Sequence, residues 1–336
     1  MSGDTPRLIA RALSRLKPAP RRRLAFVVSA PRSGSTWLQR ALNQHPQIYC
    51  TEHRLFGEHY DVVPTAEGGH ALRCTLDQYT ALLHEYHAHR ALGMHRGAFD
   101  EAILAHLVRA TLDFSYTLSG RPVLVDKITP YRGTADTVLG RIRQFLPEAR
   151  LVQLVRDGRD VATSGVFDWI RRAKRDHPRH AVFVEQAPGR VLERFFDDDD
   201  ICQWADEWAG PVRAFAAQAP DAHRISYEAM KADQGAVLAG LLPELSLPPA
   251  PDMIARCVEG ATFRRMSGGR SAGEGVPVAK ARKGVAGDWK HYFTRRDGAL
   301  FHERAGTELV AMGYESSDAW IQALPESLAI TADTLP

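Results

Sequence analysis

Apolar and polar positions follow two rhythms along this chain. From Leu24 to Ser29 five of six residues are apolar, the unbroken run of a strand buried on both faces, and the run follows an arginine cluster. The rhythm then changes: Trp37, Leu38, Ala41 and Leu42 fall on one face of a helix over 35–43, which His45-Pro46 ends. Ile48 to Cys50 is a second short strand leading into the polar stretch TEHRLFGEHY. Helical spacing returns over 76–92 and 99–118, a long insertion before the strand PVLVD at 122–126. A helix over 134–145 closed by Pro147, a strand over 149–155 and a helix starting near Asp157 or Gly158 come next. Beyond them the pattern predicts helix over 189–219, a strand over 223–226 with a turn after it, and a last helix over 297–311 ending before Gly313. Strands separated by crossovers this long pair in parallel, so the fold class is α/β, a central, mostly parallel sheet flanked by helices.

Segments that break the rhythm divide the chain. Residues 1–23 form a basic arm or helix, with Leu8, Ile9, Ala12, Leu13 and Leu16 in one stripe and without the apolar core of a secretory signal. A single domain is expected over 24–315, with a helical insertion at 60–120, and 316–336 is a tail. Within the domain, 266–289 is rich in glycine, lysine and arginine and reads as a long surface loop able to close over a ligand.

Composition narrows the function classes. A formal net charge of +3 in 336 residues suits an anionic small ligand, and the basic residues lie in ligand-sized clusters, which argues against nucleic acid. The four cysteines form no CxxC pair and read as free thiols in a reducing, cytoplasmic setting. No stretch approaches the roughly 18 apolar residues of a membrane span. Asp197 to Asp200 is read as a solvated helix start, because adjacent carboxylates do not converge and no EF-hand spacing follows. His84, His87, His89 and His95 do not match HExxH, and no metal site is expected.

Three segments carry candidate anion chemistry. In FVVSAPRSGSTW a strand ends, Gly34 allows close backbone approach, and Ser35 or Thr36 opens a helix, so free N–H groups, hydroxyls and Arg32 surround one concavity. Ser35 stands where a Walker A loop has its lysine, so an ATP or GTP enzyme is disfavoured. In LVQLVRDGRDVATSGVFDW, Arg156 stands at the carboxyl end of a strand and Ser164 two turns into the next helix, while Arg159 and Asp160 read as a helix-start ion pair. In ARKGVAGDWKHYFT, Arg282, Lys283 and Gly284 make a basic turn that can wrap a phosphate, although a charge run of this kind can equally face solvent. Together they suggest a ligand with more than one anionic group.

These three segments, in this order, resemble the signature set of sulfotransferases that use 3′-phosphoadenosine 5′-phosphosulfate (PAPS), and the resemblance runs from about residue 24 to 294. It implies a P-loop-like fold, direct in-line transfer of a sulfuryl group to a hydroxyl or amine without a metal, and 3′-phosphoadenosine 5′-phosphate (PAP) as product. It places Arg32 at the bridging oxygen and sulfuryl group, Ser33, Gly34, Ser35 and Thr36 at the 5′-phosphate, and Trp37 near the adenine. Arg156, Ser164, Arg282, Lys283 and Gly284 match the 3′-phosphate ligands. Tyr227 matches a tyrosine near adenine, and Phe263 with Met266 resembles the adenine-side Phe and Met pattern. In this reading 266–294 closes over the donor and 60–120 builds much of the acceptor side.

The acceptor side departs from one branch of the family. Phenol and steroid sulfotransferases place a histidine after a lysine in a KxHLP-like segment, whereas VDKITPYR has none. HPQIYCTEHRLF instead resembles the segment of tyrosylprotein and many bacterial sulfotransferases in which a glutamate after the second strand is the base. Glu52 is the first choice for that base, His53 the second and Asp126 a further one, and Lys127 resembles a lysine that steadies the transferred group. The expected acceptor is a small, aromatic or natural-product hydroxyl, with a peptide tyrosine as an alternative. A non-catalytic nucleotide-binding protein and a small-molecule kinase are the competing functions, and the oligomeric state, homodimer included, stays open.

Overall fold

The computed structural model describes residues 22–52, 96–131, 133–172, 178–187, 189–276, 279 and 282–331. The expectations for the N-terminal arm, His53, the helix over 76–92 and the four histidines from 84 to 95 lie outside these residues.

The described residues contain a five-stranded sheet in the order β2-β3-β1-β4-β5, built from β1 (Arg23–Ser29), β2 (Ile48–Thr51), β3 (Val123–Ile128), β4 (Arg150–Val155) and β5 (His223–Ser226). Every pairing is parallel, with Val27 opposite Lys127 and Ser29 opposite Leu154. The run Ala25–Val28 is 2% exposed or less, which explains its continuous apolarity: both faces of the central strand are covered. Because β3 and β4 flank β1 on opposite sides, the chain reverses its winding beside β1, and a crevice opens at the carboxyl ends of β1 and β4.

One face of the sheet packs on α1 (Ser35–Leu42), through Leu38, Ala41 and Leu42, and on later helices through Leu238, Leu241 and Leu242. The other face packs on α2 (Arg96–Ser119) and α3 (Ala135–Phe145), through Val108, Val138 and Ile142. A third apolar cluster lies between α4 (Gly158–Arg172), α5 (Pro178–Phe183), α6 (Asp198–Gln218) and the C-terminal helix over Arg295–Ala311. Among the described residues no helix is long and apolar enough to cross a membrane.

The structure corrects three sequence expectations. Helix was expected over 189–219, but it begins only at Asp198; the preceding stretch is irregular, and Leu192 pairs with Ile330 in an isolated antiparallel bridge. The aspartates at 197–200 do open that helix, with Asp197 and Asp199 exposed, and Arg179 pairs with Asp197 and Asp200, and Arg194 with Asp198, around a helix N-terminus that favours negative charge. The turn expected after β5 is a helix, α7 (Tyr227–Ala232), capped by the Ser226 side chain, which accepts from the Ala229 N–H at 3.0 Å. It is followed by α8 (Gln234–Glu244), α9 (Pro251–Gly260) and α10 (Phe263–Ser267). Finally, the stretch 266–289 is not wholly a surface loop, because Asp288 and Trp289 at its end are buried.

Trp208 joins the third cluster to the crevice. Its ring is 1% exposed, and its indole N–H donates to the Arg156 carbonyl at 2.8 Å. Replacing it by phenylalanine keeps an aromatic ring but leaves that buried carbonyl unpaired, at a cost of about 1–3 kcal/mol. Trp208→Phe should therefore lower the urea midpoint with an unchanged m-value, and an unchanged midpoint would contradict this role.

Candidate functional site

The loop after β1 turns sharply. Arg32 adopts a left-handed backbone (φ 66°), and Gly34 follows at φ 93° as the cap of α1. A Cβ at Gly34 would lie 2.7 Å from the Tyr227 ring, so both the backbone angle and the close approach require glycine. The Gly34 carbonyl accepts from the N–H groups of Trp37 and Leu38, while no side chain caps the helix start and no acidic residue lies in its first turn. First-turn N–H groups are therefore left to meet an anion.

A cavity of about 380 Å³ opens beside this loop. Arg32, Gly34, Ser35, Thr36 and Trp37 line it from β1 and α1, and Arg156 and Ser164 from β4 and α4. Tyr227, Phe263 and Met266 face it from α7 and α10, and Arg282, Lys283 and Gly284 from the late loop. Thus residues chosen from three segments far apart in sequence surround one space. Ser33 is the exception: its side chain is fully buried and its hydroxyl has no hydrogen-bond partner among the described residues, so any contribution there comes through its backbone.

Arg156 ties the walls together. Its guanidinium donates to the Arg32 carbonyl and to the Val285 carbonyl, each at 3.1 Å, and its Cζ lies 4.3 Å from the centre of the Tyr227 ring. Asp160 faces it at 3.6 Å while accepting from the N–H groups of Gly287 and Trp289 at 2.7 and 3.0 Å. Burial works against the Arg156 charge, but Asp160 foremost, with Tyr227, Glu228 and Asp157, outweighs it and raises its pKa. Asp160 is thus not the helix-start partner of Arg159, which pairs with Asp157 and Glu315 instead.

The late loop carries its own counter-charge. Arg282 and Lys283 both pair with Asp288, Lys283 at 2.9 Å, and the Arg282 guanidinium stacks 4.3 Å from the Phe167 ring centre. Gly284 is left-handed (φ 67°), and a Cβ there would lie 2.4 Å from the Phe263 ring. Elsewhere in the lining Trp37 and Tyr227 meet edge to face, centroids 5.6 Å apart. Cations and a helix N-terminus on some walls and aromatic rings on others can hold a flat ring bearing separated anionic groups.

Glu52 and Lys127 do not line this cavity. They pair with each other at 2.7 Å, Glu52 just past the end of β2 and Lys127 near the end of β3, so both stand at the carboxyl edge of the sheet. Asp126 is fully buried, and His53 lies outside the described residues. Sequence reasoning missed Arg40, Met230, Lys231, Gln234 and Val285, which also line the cavity. A signal for two of them existed: Arg40 lies one helical turn after Thr36 and Lys231 one turn after Tyr227, on the same faces. Among the described residues no group of three or more His, Cys, Asp or Glu is placed to hold a metal.

Asp288 yields a pH test. Burial, the largest influence, disfavours its charge, but Arg282 and then Lys283 overcome it and hold the carboxyl below its ordinary range. A carboxylate depressed in the fold stabilises it above the unfolded pKa of about 3.9, and that contribution is lost as pH falls through the lower folded value. Wild type should therefore exceed Asp288→Asn in urea stability at neutral pH, with a gap that closes below about pH 4. A gap independent of pH would contradict the pairing.

With this geometry in place, similarity to known proteins can be stated. A family model described as "Sulfotransferase family" matches residues 25–252. Human Sulfotransferase 2A1 is 27% identical over 162 residues, which are 45% of this chain and 53% of that protein, so the chain spans about half the length of the curated relative it matches. Similar solved structures include the sulfotransferase domain of the Synechococcus PCC 7002 olefin synthase, with a TM-score of 0.47, 17% identity and coverage of 85% of this chain and 96% of that one. Another is the mouse sulfotransferase SULT7A1 complexed with PAP, with a TM-score of 0.45, 17% identity and coverage of 90% and 87%.

Proposed function

The chain belongs to the sulfotransferase family, and from that premise we propose that it moves the sulfuryl group of PAPS to a hydroxyl of a small acceptor, leaving PAP. The observation that carries the proposal is the convergence of the Arg32 loop, the Arg156–Ser164 element and the Arg282–Gly284 turn on one cavity walled on another side by Trp37, Tyr227 and Phe263. The donor set fits such a nucleotide. Cations on two sides suit two phosphate positions, the aromatic rings suit a flat base, and the bare glycines at 34 and 284 keep those rings in place.

In this reading Ser35, Thr36 and the first turn of α1 hold the 5′-phosphate, while Arg156 and Ser164, with Arg282, Lys283 and Gly284, hold the 3′-phosphate. Trp37, Tyr227, Phe263 and Met266 fix the adenine. When bound, PAPS supplies an activated sulfuryl group: the acceptor oxygen forms its bond to sulfur as the bridging S–O bond breaks, and the electron pair leaves with the 5′-phosphate. Arg32 neutralises the charge that develops there. Glu52 takes the acceptor proton, and Lys127, 2.7 Å away, orients that carboxylate. An acceptor with an aromatic or mixed-polarity body fits the side chains of the 60–120 insertion better than a polyanion.

Two variants separate binding from chemistry. Arg156→Ala should weaken PAP binding by about 10²-fold or more in calorimetry, the scale expected when a buried charged contact is truncated. Glu52→Gln should leave PAP affinity unchanged and lower sulfuryl transfer by roughly 10²–10⁴-fold, the usual contribution of a general base. Full transfer by Glu52→Gln would remove Glu52 from the mechanism, and absence of PAP binding by the wild type would overturn the functional reading.

A further inference from the structure

One face of a helix meets the Arg32 guanidinium at two points. Its Nε donates to the Ser164 hydroxyl at 3.1 Å, and its Nη1 lies 3.6 Å from the Asp168 carboxylate, an ion pair without a hydrogen bond. Ser164 and Asp168 are four residues apart on α4, so their side chains stack one turn above the other and meet two edges of the planar guanidinium. Asp168 is 9% exposed and does not line the cavity, whereas Arg32, which it contacts, does.

Such a partner has a physical task. Burial first, and the like charges of Arg156 and Arg171, disfavour the Arg32 guanidinium charge, while Asp168 is the leading influence in its favour. The left-handed backbone at Arg32 is itself an uncommon geometry for a residue with a side chain, and the Arg156 contact to the Arg32 carbonyl fixes the main chain alone. The shorter contact of Asp168, 2.6 Å to Arg171, is an i,i+3 pair on the same helix that offers nothing to the cavity. The contact to Arg32 joins the helix to a loop 136 positions earlier in sequence, since 168 − 32 = 136.

We propose that Asp168 is a positioning residue for sulfuryl transfer: with Ser164 it sets the orientation in which the Arg32 guanidinium meets the transferring group. The proposal rests on the functional reading above for its catalytic consequence, but the orientation of Arg32 can be read without turnover. In the full-length protein the Arg32 Nε–H resonance, assigned by its loss in Arg32→Lys, should shift and exchange with solvent at least 10-fold faster in Asp168→Asn, and should recover in Asp168→Glu. With an acceptor turned over by the wild type, Asp168→Asn should lower kcat by about 10–10²-fold, the scale of a small misplacement of a reacting group, while PAP affinity and melting temperature stay near wild type. Two results would overturn the proposal: an Arg32 Nε–H signal indifferent to Asp168→Asn, or loss of melting temperature and PAP affinity in parallel with kcat, which marks a merely structural residue. If the wild type binds no PAP, the functional reading fails, and the Arg32 signal still decides whether Asp168 positions that side chain.

Discussion

The candidate site depends on one buried cation. Arg156, at the carboxyl end of β4, bonds the backbone of the Arg32 loop on one side and of the 282–287 turn on the other, under the Tyr227 ring and against Asp160. Its own carbonyl is held by Trp208, so the cation is fixed from the protein core outward. A buried arginine with several acceptors is a rigid joint, because leaving any of its charge unpaired in the interior is expensive. The sheet order explains why the joint sits here: β1 and β4 are neighbours, so the loops leaving their carboxyl ends are within reach of one side chain.

Around that joint four of the cavity-lining cations have a carboxylate beside them. Asp160 stands behind Arg156, Asp168 behind Arg32, and Asp288 behind Arg282 and Lys283. This arrangement solves a problem that any site for a polyanion faces, namely that its cations repel one another before the ligand arrives. Carboxylates set behind the cations let the folded chain hold them in place, and donors fixed in advance stabilise charge without reorganising when it develops. Asp160 also grips the backbone of the late loop, so the same residue that balances Arg156 anchors the segment proposed to close over the donor.

How much of this could be read from sequence follows from which forces act locally. The strands were legible because apolar runs such as Ala25–Val28 are buried on both faces, and the phosphate-loop pattern was legible because positive φ at Gly34 and a helix start leave a compositional mark. The helix over 227–232 was not, since its cue is a single serine cap in a stretch too short for periodicity. The helix expected over 189–197 is absent because Leu192 pairs with Ile330, and Phe195 and Phe196 enter a core built by distant segments. Ser33 looked like its neighbours in the loop, but its side chain is fully buried beside the left-handed turn at Arg32. The carboxylate behind Arg32 was invisible for the same reason, since Asp168 meets it only through the fold, whereas Asp160 lies four positions after Arg156 and reads in sequence as the partner of Arg159 instead.

The central claim is that the three sequence-distant elements form one nucleotide site organised by Arg156. A crystal structure of the protein grown with PAP tests it directly. The account expects the 3′-phosphate within hydrogen-bond distance of Arg156 and Ser164, the 5′-phosphate on the N–H groups opening α1, and the adenine against Trp37 and Tyr227. A nucleotide bound elsewhere, or bound here with neither phosphate touching Arg156 or the start of α1, would contradict it.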